Sequence, residues 1–161
     1  PRKMIKTFNA NYRYMTESDI EVTRGIEVDS NPVPWTEKNF TDCLSKEYYC
    51  LIQEVNQEVS GFAIQIISLE ETHLLNIGIR EKFRKKGLGQ DLLNQIIHAS
   101  KEMGSKKVFL EVRVSNKIAI ELYEKSGFQK LVLRKNYYRL PDGREDALVM
   151  VKELKKSWRL F

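Results

Sequence analysis

A short basic and glycine-rich stretch, RKKGLGQDLL at residues 84–93, has the residue types of an anion-binding loop. Three basic residues and two glycines one residue apart lead into an apolar helical pattern: Arg84, Lys85, Lys86, Gly87 and Gly89. Glycine lets a backbone approach a ligand closely, and the first turn of a helix directs unpaired N–H groups to the same point. The pattern therefore predicts a nest for a diphosphate. A plain helix start with a solvated basic face explains the same residues, because short glycine motifs recur by chance.

A glutamate in the strand-like run 106–114 has a position suited to proton transfer. Alternation places Glu111 on one face with Phe109 and Arg113, and three aliphatic residues on the other. Apolar neighbours would partly desolvate a carboxylate there and make it a usable general base. On alternation alone, the more common arrangement is a surface glutamate paired with Arg113 or with a lysine.

A tyrosine in the following segment is a candidate general acid. Asn116, Ala119, Ile120 and Tyr123 are spaced so that they share one face of a predicted helix. The small side chain of Ala119 leaves room for a ligand between Asn116 and Tyr123. An aromatic residue at helical spacing is more often part of a hydrophobic core, so the spacing leaves both interpretations open.

The hydrophobic pattern predicts the strands and helices that must position these residues. Strands are expected near residues 12–15, 48–55, 59–69, 73–79 and 106–114, with two more joined by the turn PDG. Helices are expected over about 20–28, 36–45, 87–103 and 116–128, with N-cap candidates at Thr16, Ser18, Asp19 and Thr36. The three central strands follow each other closely and predict an antiparallel meander. Helices interleave with strands, so the fold class is a mixed α/β (α+β) domain over residues 1–161.

The composition constrains the kinds of ligand and compartment. The chain has 161 residues and a net charge of +5, which favours an acidic ligand or partner. Cys43 and Cys50 fit neither a disulfide framework nor a zinc site, and His73 and His98 are isolated, so no metal is expected. No apolar run has the length of a membrane span. We therefore expect a cytoplasmic monomer that binds neither membrane nor a specific nucleic acid.

Several stretches together resemble the GNAT acetyltransferase superfamily. LLNIGI precedes the glycine loop, FLEVRVSNKIAIELYEKSGF follows it, and RKNYYRLPDGRED lies near the end. The last two stretches, and PVPWTEKNF at residues 32–40, resemble the bacterial ribosomal-protein-alanine N-acetyltransferases of the RimI type. The likeness covers about residues 30–151 and is far more specific than the glycine loop. It implies the GNAT fold, with a mostly antiparallel central sheet, splayed strands and flanking helices.

The resemblance gives each candidate residue a role in acetyl transfer from acetyl-CoA. The backbone of a bulged strand, Ile77, Gly78 and Ile79, would bind the pantetheine arm and polarise the acetyl carbonyl, and Asn116 would bind the same arm. The diphosphate would be held by the loop residues Arg84, Lys85, Lys86, Gly87, Leu88, Gly89 and Gln90. Glu111 would be the general base, directly or through water, and Tyr123 the general acid for the departing thiolate.

The resemblance also implies the acceptor. It would be the N-terminal amine of an alanine on a small-subunit ribosomal protein, and this amine would attack the thioester directly. An α-amino group has a pKa near 7.7–8.0, against about 10.4 for lysine, so a weak base suffices. Trp35 and Tyr137 are expected to line the acceptor groove. The plainer alternatives are a hydrophobic plug for Trp35 and strand packing for Tyr137 and Tyr138.

The sequence departs from the family pattern at one turn and leaves two alternative functions open. Family members commonly carry Ala-Val after the isoleucine of the bulged strand and then an acidic-proline turn, whereas this chain has Gly78 and Arg80. One alternative is a broader protein N-terminal or lysine acetyltransferase. The other is a non-catalytic ribosome- or RNA-binding module, supported only by the positive charge. A basic tail at about residues 152–161 would touch RNA or simply be solvated.

Overall fold

The computed structural model describes residues 9–154, and its elements follow the predicted order. The elements are β1 (Ala10–Tyr14), α1 (Ile20–Ser30), α2 (Glu37–Asp42), β2 (Tyr49–Val55), β3 (Glu58–Ile67), β4 (Glu71–Ile79), α3 (Leu88–Glu102), β5 (Lys107–Arg113), α4 (Lys117–Lys125), β6 (Gln129–Leu140) and β7 (Gly143–Glu153). Short 3-10 turns lie at Glu17–Asp19 and Glu81–Phe83. The expected tail lies outside the described residues from 155 onward, and its first two residues belong to β7.

The seven strands form one mixed sheet in the order β1-β2-β3-β4-β5-β7-β6. The predicted antiparallel meander is confirmed, because β2 pairs with β3 and β3 with β4 in antiparallel register. β5 joins β4 in parallel and β7 in antiparallel register. The mixed α/β class with a mostly antiparallel sheet is therefore confirmed.

Side-chain caps fix where the first helices begin. Thr16 and Asp19 form a capping box at the 3-10 turn that leads into α1, and the Thr36 hydroxyl accepts a hydrogen bond from the Asn39 N–H at 3.2 Å before α2. The prediction that the second helix reaches residue 45 is wrong, because α2 ends at Asp42. The next N–H groups turn back to carbonyls three residues earlier, which tightens the chain and ends the helix.

Two hydrophobic clusters pack on opposite faces of the sheet. The α3 and α4 face buries, among others, Leu92, Leu93, Ile96, Val108, Leu110 and Met150. The α1 and α2 face buries, among others, Ile20, Ile26, Phe40, Ile52, Phe62 and Ile64. None of the helices among residues 9–154 has the length and apolar character needed to cross a membrane.

The sheet opens in its middle, where β4 and β5 part. The two strands pair only from Glu71 with Lys107 to Leu74 with Leu110. Beyond that point β4 pairs with β3 alone and β5 with β7 alone. A bulge lies at the start of the opening. Gln65 pairs with Leu74 and Ile64 pairs with Asn76, so Leu75 has no partner in β3. The splayed strands implied by the resemblance are therefore present.

Candidate active site

Two adjoining cavities lie at the opening between β4 and β5. One has a volume of about 150 Å³ and is lined by residues of α1, β4, β5 and α4. The other has a volume of about 270 Å³ and extends along β5 toward β6 and β7. Glu111, Trp35 and Tyr138 line both cavities, so the two form one groove with Glu111 at their junction.

Glu111 lies on the predicted face of β5, but its surroundings differ from the prediction. Its carboxylate accepts a hydrogen bond from Arg134 Nη1 at 2.7 Å, and 33% of its side-chain surface is exposed. The expected partner, Arg113, instead pairs with Glu145 at 3.3 Å and lies over the ring of Tyr138. A cation and solvent, rather than apolar neighbours alone, therefore surround Glu111. The prediction failed because β6, which supplies Arg134, is not adjacent to β5 in the sheet.

Tyr123 is buried in α4 and also lines the smaller cavity. Its ring packs against Phe128 with centroids 5.8 Å apart, so Tyr123 is part of the hydrophobic core and also borders the cavity. Burial raises the pKa of the phenol above its ordinary value. No hydrogen bond joins its hydroxyl to another residue of the range 9–154. The phenol is therefore protonated at neutral pH and available as a hydrogen-bond donor.

Asn116 caps α4 and faces the same cavity as Tyr123. Its side-chain oxygen accepts a hydrogen bond from the Ala119 N–H at 3.2 Å. The oxygen is thus used within the helix cap, and the amide nitrogen is the part that can donate to a ligand. Ile120 and Tyr123 are buried on the same helix, which confirms the shared face predicted from their spacing.

The backbone of the glycine loop has the conformation that an anion site needs. Lys85 and Gly87 have φ angles of 60° and 79°, in the left-handed region. Gly87 is the N-cap of the 15-residue helix α3. Because glycine has no side chain, no N-cap side chain accepts a hydrogen bond from the first N–H groups of this helix. A Cβ at Gly89 would lie 3.6 Å from Leu122, an ordinary contact, so the fold itself does not require glycine there.

Three side chains of the loop, those of Arg84, Leu88 and Gln90, contact other elements of the protein. The Arg84 guanidinium donates to the Ile79 carbonyl at 2.9 Å and to the Ser30 hydroxyl at 3.0 Å. Leu88 is 2% exposed, and Gln90 Nε2 donates to Ser126 at 2.7 Å. These side chains fix the loop against β4, α1 and α4. Lys86 also interacts with another group of the protein. Contacts from these loop residues to a diphosphate remain a prediction.

Gly78, where the sequence departs from the family pattern, has a packing reason for lacking a side chain. A Cβ at this position would lie 2.8 Å from the ring of Phe62 and 2.9 Å from Cγ2 of Ile26. Gly78 and its neighbours Ile77 and Ile79 lie beyond the last pair of β4 with β5. Their backbone therefore borders the opening, while the bulge itself lies at Leu75, two residues before Ile77.

A bulge in β6 brings aromatic residues to the groove. The pairing with β7 shifts between Arg134 and Tyr138, and Asn136 has a φ angle of 54° with its N–H donating to Asp146 at 2.9 Å. Tyr137 lines the larger cavity, and Tyr138 lines both. Two consecutive residues of a regular strand would face opposite sides, so the bulge explains why both tyrosines reach the groove.

Trp35 closes the groove from the side of the first two helices. It lines both cavities, while its ring packs 5.3 Å from that of Phe40. The interpretations as groove wall and as hydrophobic plug therefore both describe it.

Sequence reasoning missed two polar residues on the groove wall. Glu27 of α1 is only 3% exposed, and its carboxylate accepts a hydrogen bond from the side-chain amide of Asn76 in β4. A signal existed in the sequence, because Glu27 follows Ile20 by seven residues and Thr23 by four, on one helical stripe. All three residues are buried.

The histidines and cysteines form no metal cluster in the part of the chain that the structure describes. His73 lies at the far end of the larger cavity, stacked on Phe109 and bonded to Glu71 at 2.9 Å. Cys43 and Cys50 are buried free thiols, and Cys50 Sγ donates to the Cys43 carbonyl at 3.0 Å.

Comparison with known proteins agrees with this geometry. Residues 20–128 match the model of the acetyltransferase (GNAT) family. The chain is 37% identical over 133 residues to the ribosomal protein bS18-alanine N-acetyltransferase of Escherichia coli (strain K12), covering 83% of this chain and 90% of that protein. The protein of the same name from Haemophilus influenzae (strain ATCC 51907 / DSM 11121 / KW20 / Rd) is 39% identical over 133 residues, covering 82% and 90%.

Solved structures give the same result. The crystal structure of the ribosomal-protein-S18-alanine N-acetyltransferase from Escherichia coli matches with a TM-score of 0.85 and 32% identity, over 95% of this chain and 99% of that one. Ard1 from Thermoplasma volcanium matches with a TM-score of 0.81 and 26% identity, over 91% and 99%. The alternative of a non-catalytic binding module is therefore wrong. The chain belongs to the GNAT acetyltransferase family and is an N-acetyltransferase.

Proposed function

We propose that this enzyme transfers the acetyl group of acetyl-CoA to the α-amino group of a protein N-terminus, with Glu111 as base and Tyr123 as acid. The expected acceptor is a small-subunit ribosomal protein that begins with alanine, as the names of the 37–39% identical relatives suggest. One observation carries the proposal: a carboxylate and a protonated phenol line the same cavity at the opening of the sheet. A cytoplasmic, monomeric enzyme remains our expectation.

The residues around the opening fit acetyl-CoA, which supplies the acyl group as a thioester when bound. The uncapped N-terminus of α3, with Gly87 in the left-handed region, offers N–H groups and a helix dipole to a diphosphate. The unpaired edge of β4 over Ile77 to Ile79 offers backbone groups to an amide-containing arm. Asn116 offers a side-chain amide on the same path.

Glu111 has the position of a proton acceptor, at the junction of the two cavities. Its carboxylate is held at the groove by the ion pair with Arg134, at 2.7 Å. An α-ammonium group has a pKa of only about 7.7–8.0, so a substantial fraction of the amine is already neutral near pH 7.5. A weak base is enough for such an acceptor, and the exposed third of the side chain admits a water that relays the proton.

Tyr123 acts on the departing sulfur. Burial keeps the phenol protonated, so it donates a hydrogen bond as negative charge develops on the thiolate. A free thiol has a pKa of about 8.5, below that of the phenol, which makes complete proton transfer uphill in water. Burial raises the pKa of a thiol as well, which narrows the difference at this site. The hydrogen bond to sulfur is therefore the main contribution expected from Tyr123.

The test is acetylation of matched peptides by the purified enzyme with acetyl-CoA. One peptide begins with alanine and has a free N-terminus, and its partner is N-formylated and offers a single lysine instead. Mass spectrometry should place the acetyl group on the α-amine of the first peptide. Glu111→Gln and Tyr123→Phe should each lower kcat by roughly a hundredfold. Acetylation of lysine alone, or unchanged rates in both variants, would contradict the proposal.

A further inference from the structure

Glu27 is a buried carboxylate on the wall of the active-site groove that the proposed mechanism does not use. It lies on α1 with 3% of its surface exposed, beside Asn76 of the β4 bulge. Among residues 9–154, the Glu27 carboxylate accepts one hydrogen bond, from the side-chain amide of Asn76. A carboxylate has about four acceptor positions, so most of its capacity is unused.

The charge of Glu27 is not matched by a protein cation. Glu27 takes part in none of the ion pairs formed among residues 9–154. The guanidinium groups of Arg84 and Arg113 bind the end of α1 one turn later, at Ser30 and Asn31. A buried charge without a partner is costly, and proteins normally pair such a charge or use it to hold a ligand of opposite sign.

Glu27 and Glu111 face the groove from the same side of the sheet. The other face of β5 packs under α3 and α4, so Glu111 and Arg113 lie on the α1 side. The hydrogen bond from Arg113 to Asn31, at the end of α1, shows how near the two elements are. Tyr123 reaches the same cavity from α4, on the opposite side. The acceptor side of the groove thus carries two carboxylates, of which Glu111 alone is neutralised by an ion pair.

We propose that Glu27 binds the α-ammonium group of the acceptor peptide and holds the amine at the opening between β4 and β5. This inference rests on the proposed function, because an N-terminal peptide is the cation it requires. Glu27 gives the acceptor its charge-specific contact, and Glu111, directly or through water, then takes one proton from the bound ammonium. The free amine lone pair that results is the nucleophile.

The test measures binding rather than turnover, so that it stands apart from the catalytic roles. An alanine-starting hexapeptide and its desamino analogue, which has a propionyl group in place of alanine, are titrated by calorimetry into the enzyme loaded with CoA. Wild type should bind the amine peptide about tenfold or more tightly than the analogue, the usual effect of a hydrogen bond to a charged group. Glu27→Gln should bind both peptides equally within about twofold.

Two controls make the result decisive. Glu21→Gln removes an exposed carboxylate from the same helix and should keep the wild-type preference. Glu27→Met removes the charge without leaving a buried amide, so it replaces Glu27→Gln if the glutamine variant fails to fold. It should also bind the two peptides equally. CoA affinity and thermal unfolding report whether each variant is intact.

A preference for the amine peptide that survives in both Glu27 variants would overturn the inference. Equal binding of the two peptides by wild type would overturn it as well. A wild-type enzyme that shows the preference but acetylates no N-terminus would instead contradict the proposed function. The two failures are therefore distinguishable.

Discussion

Gly78 and Ile26 are in contact across the β4–α1 interface because position 78 has no side chain. A Cβ there would lie 2.9 Å from Cγ2 of Ile26 and 2.8 Å from the ring of Phe62, closer than packed carbon atoms allow. Ile26 directly precedes Glu27, whose carboxylate accepts a hydrogen bond from Asn76 of β4. The close approach of helix and strand therefore sets the position of a polar residue on the groove wall.

Gly78→Ala should destabilise the protein, because the added methyl group must push α1 away from β4. Overpacking of this kind costs about 1–3 kcal/mol of unfolding free energy, which urea unfolding measures. The matched control is Gly25→Ala in α1, the helix that packs on Gly78, because a Cβ at position 25 meets no atom within 4 Å. That change should stabilise the protein by about 0.5–1 kcal/mol, since alanine favours the helix. Equal effects of the two substitutions would contradict the packing argument.

Gln65→Met should stabilise the protein. Gln65 is fully buried in β3, and neither polar atom of its side chain has a hydrogen-bond partner among residues 9–154. Removing a buried unpaired amide should recover about 1–3 kcal/mol, and each kcal/mol raises Tm by about 2–4 °C in a chain of this size.

The control for Gln65→Met is Gln53→Met. The side-chain amide of Gln53 is equally buried, but its polar atoms have hydrogen-bond partners. Gln53 Nε2 donates to the Tyr12 hydroxyl and to the Leu88 carbonyl, both at 2.9 Å, and its oxygen accepts from Ser60 at 2.7 Å. Loss of these bonds should lower Tm. A fall in Tm for Gln65→Met, measured by calorimetry in the same buffer, would show that its amide is satisfied in solution.

Gly89→Glu should weaken CoA binding strongly while the fold survives. The ordinary 3.6 Å contact of its Cβ leaves the packing unchanged, but a carboxylate in the first turn of α3 would repel and displace a diphosphate. Affinity should fall by about a hundredfold or more, since both charge and space oppose the ligand. Asn94→Glu places the same charge five residues later, at an exposed position of the same helix, and should retain most of the affinity. Similar CoA affinities of the two variants in calorimetry would contradict a diphosphate site at the loop.

The pH profile should rise once and then stay level. As pH increases through about 7.7–8.0, the acceptor amine loses its proton and kcat/KM increases. Burial raises the pKa of Tyr123 above its ordinary value of 10.0, so the phenol keeps its proton throughout the range to about pH 10. Tyr123→Phe should lower the plateau and keep the rising limb. A fall between about pH 8 and 10 in wild type that this variant lacks would contradict the role of the buried phenol.

Local pattern was enough to predict much of the scaffold. Alternation in residues 106–114 placed Glu111 opposite three buried aliphatic residues, and the structure agrees. Helical spacing placed Asn116 and Tyr123 on one face of α4, again in agreement. These predictions depend only on the geometry of a single element, which the sequence encodes directly.

Features that depend on distant elements could not be predicted. Arg134 reaches Glu111 from a strand that is two positions away in the sheet, so no local spacing indicates the pair. Tyr138 faces the groove because the β6 bulge at Asn136 interrupts alternation, and the hydrogen bond to Asp146 that accompanies the bulge joins two strands. Glu27 lies on a detectable helical stripe, but charged residues are mostly exposed, and its burial follows only from the packing of α1 against β4.

The most direct measurement is a crystal structure of the enzyme with CoA. The diphosphate should contact the backbone N–H groups of the loop from Gly87 to Gln90, and the sulfur should lie between Glu111 and Tyr123 at the opening of β4 and β5. A complex whose diphosphate lies away from that loop, or whose sulfur is remote from both side chains, would contradict the account.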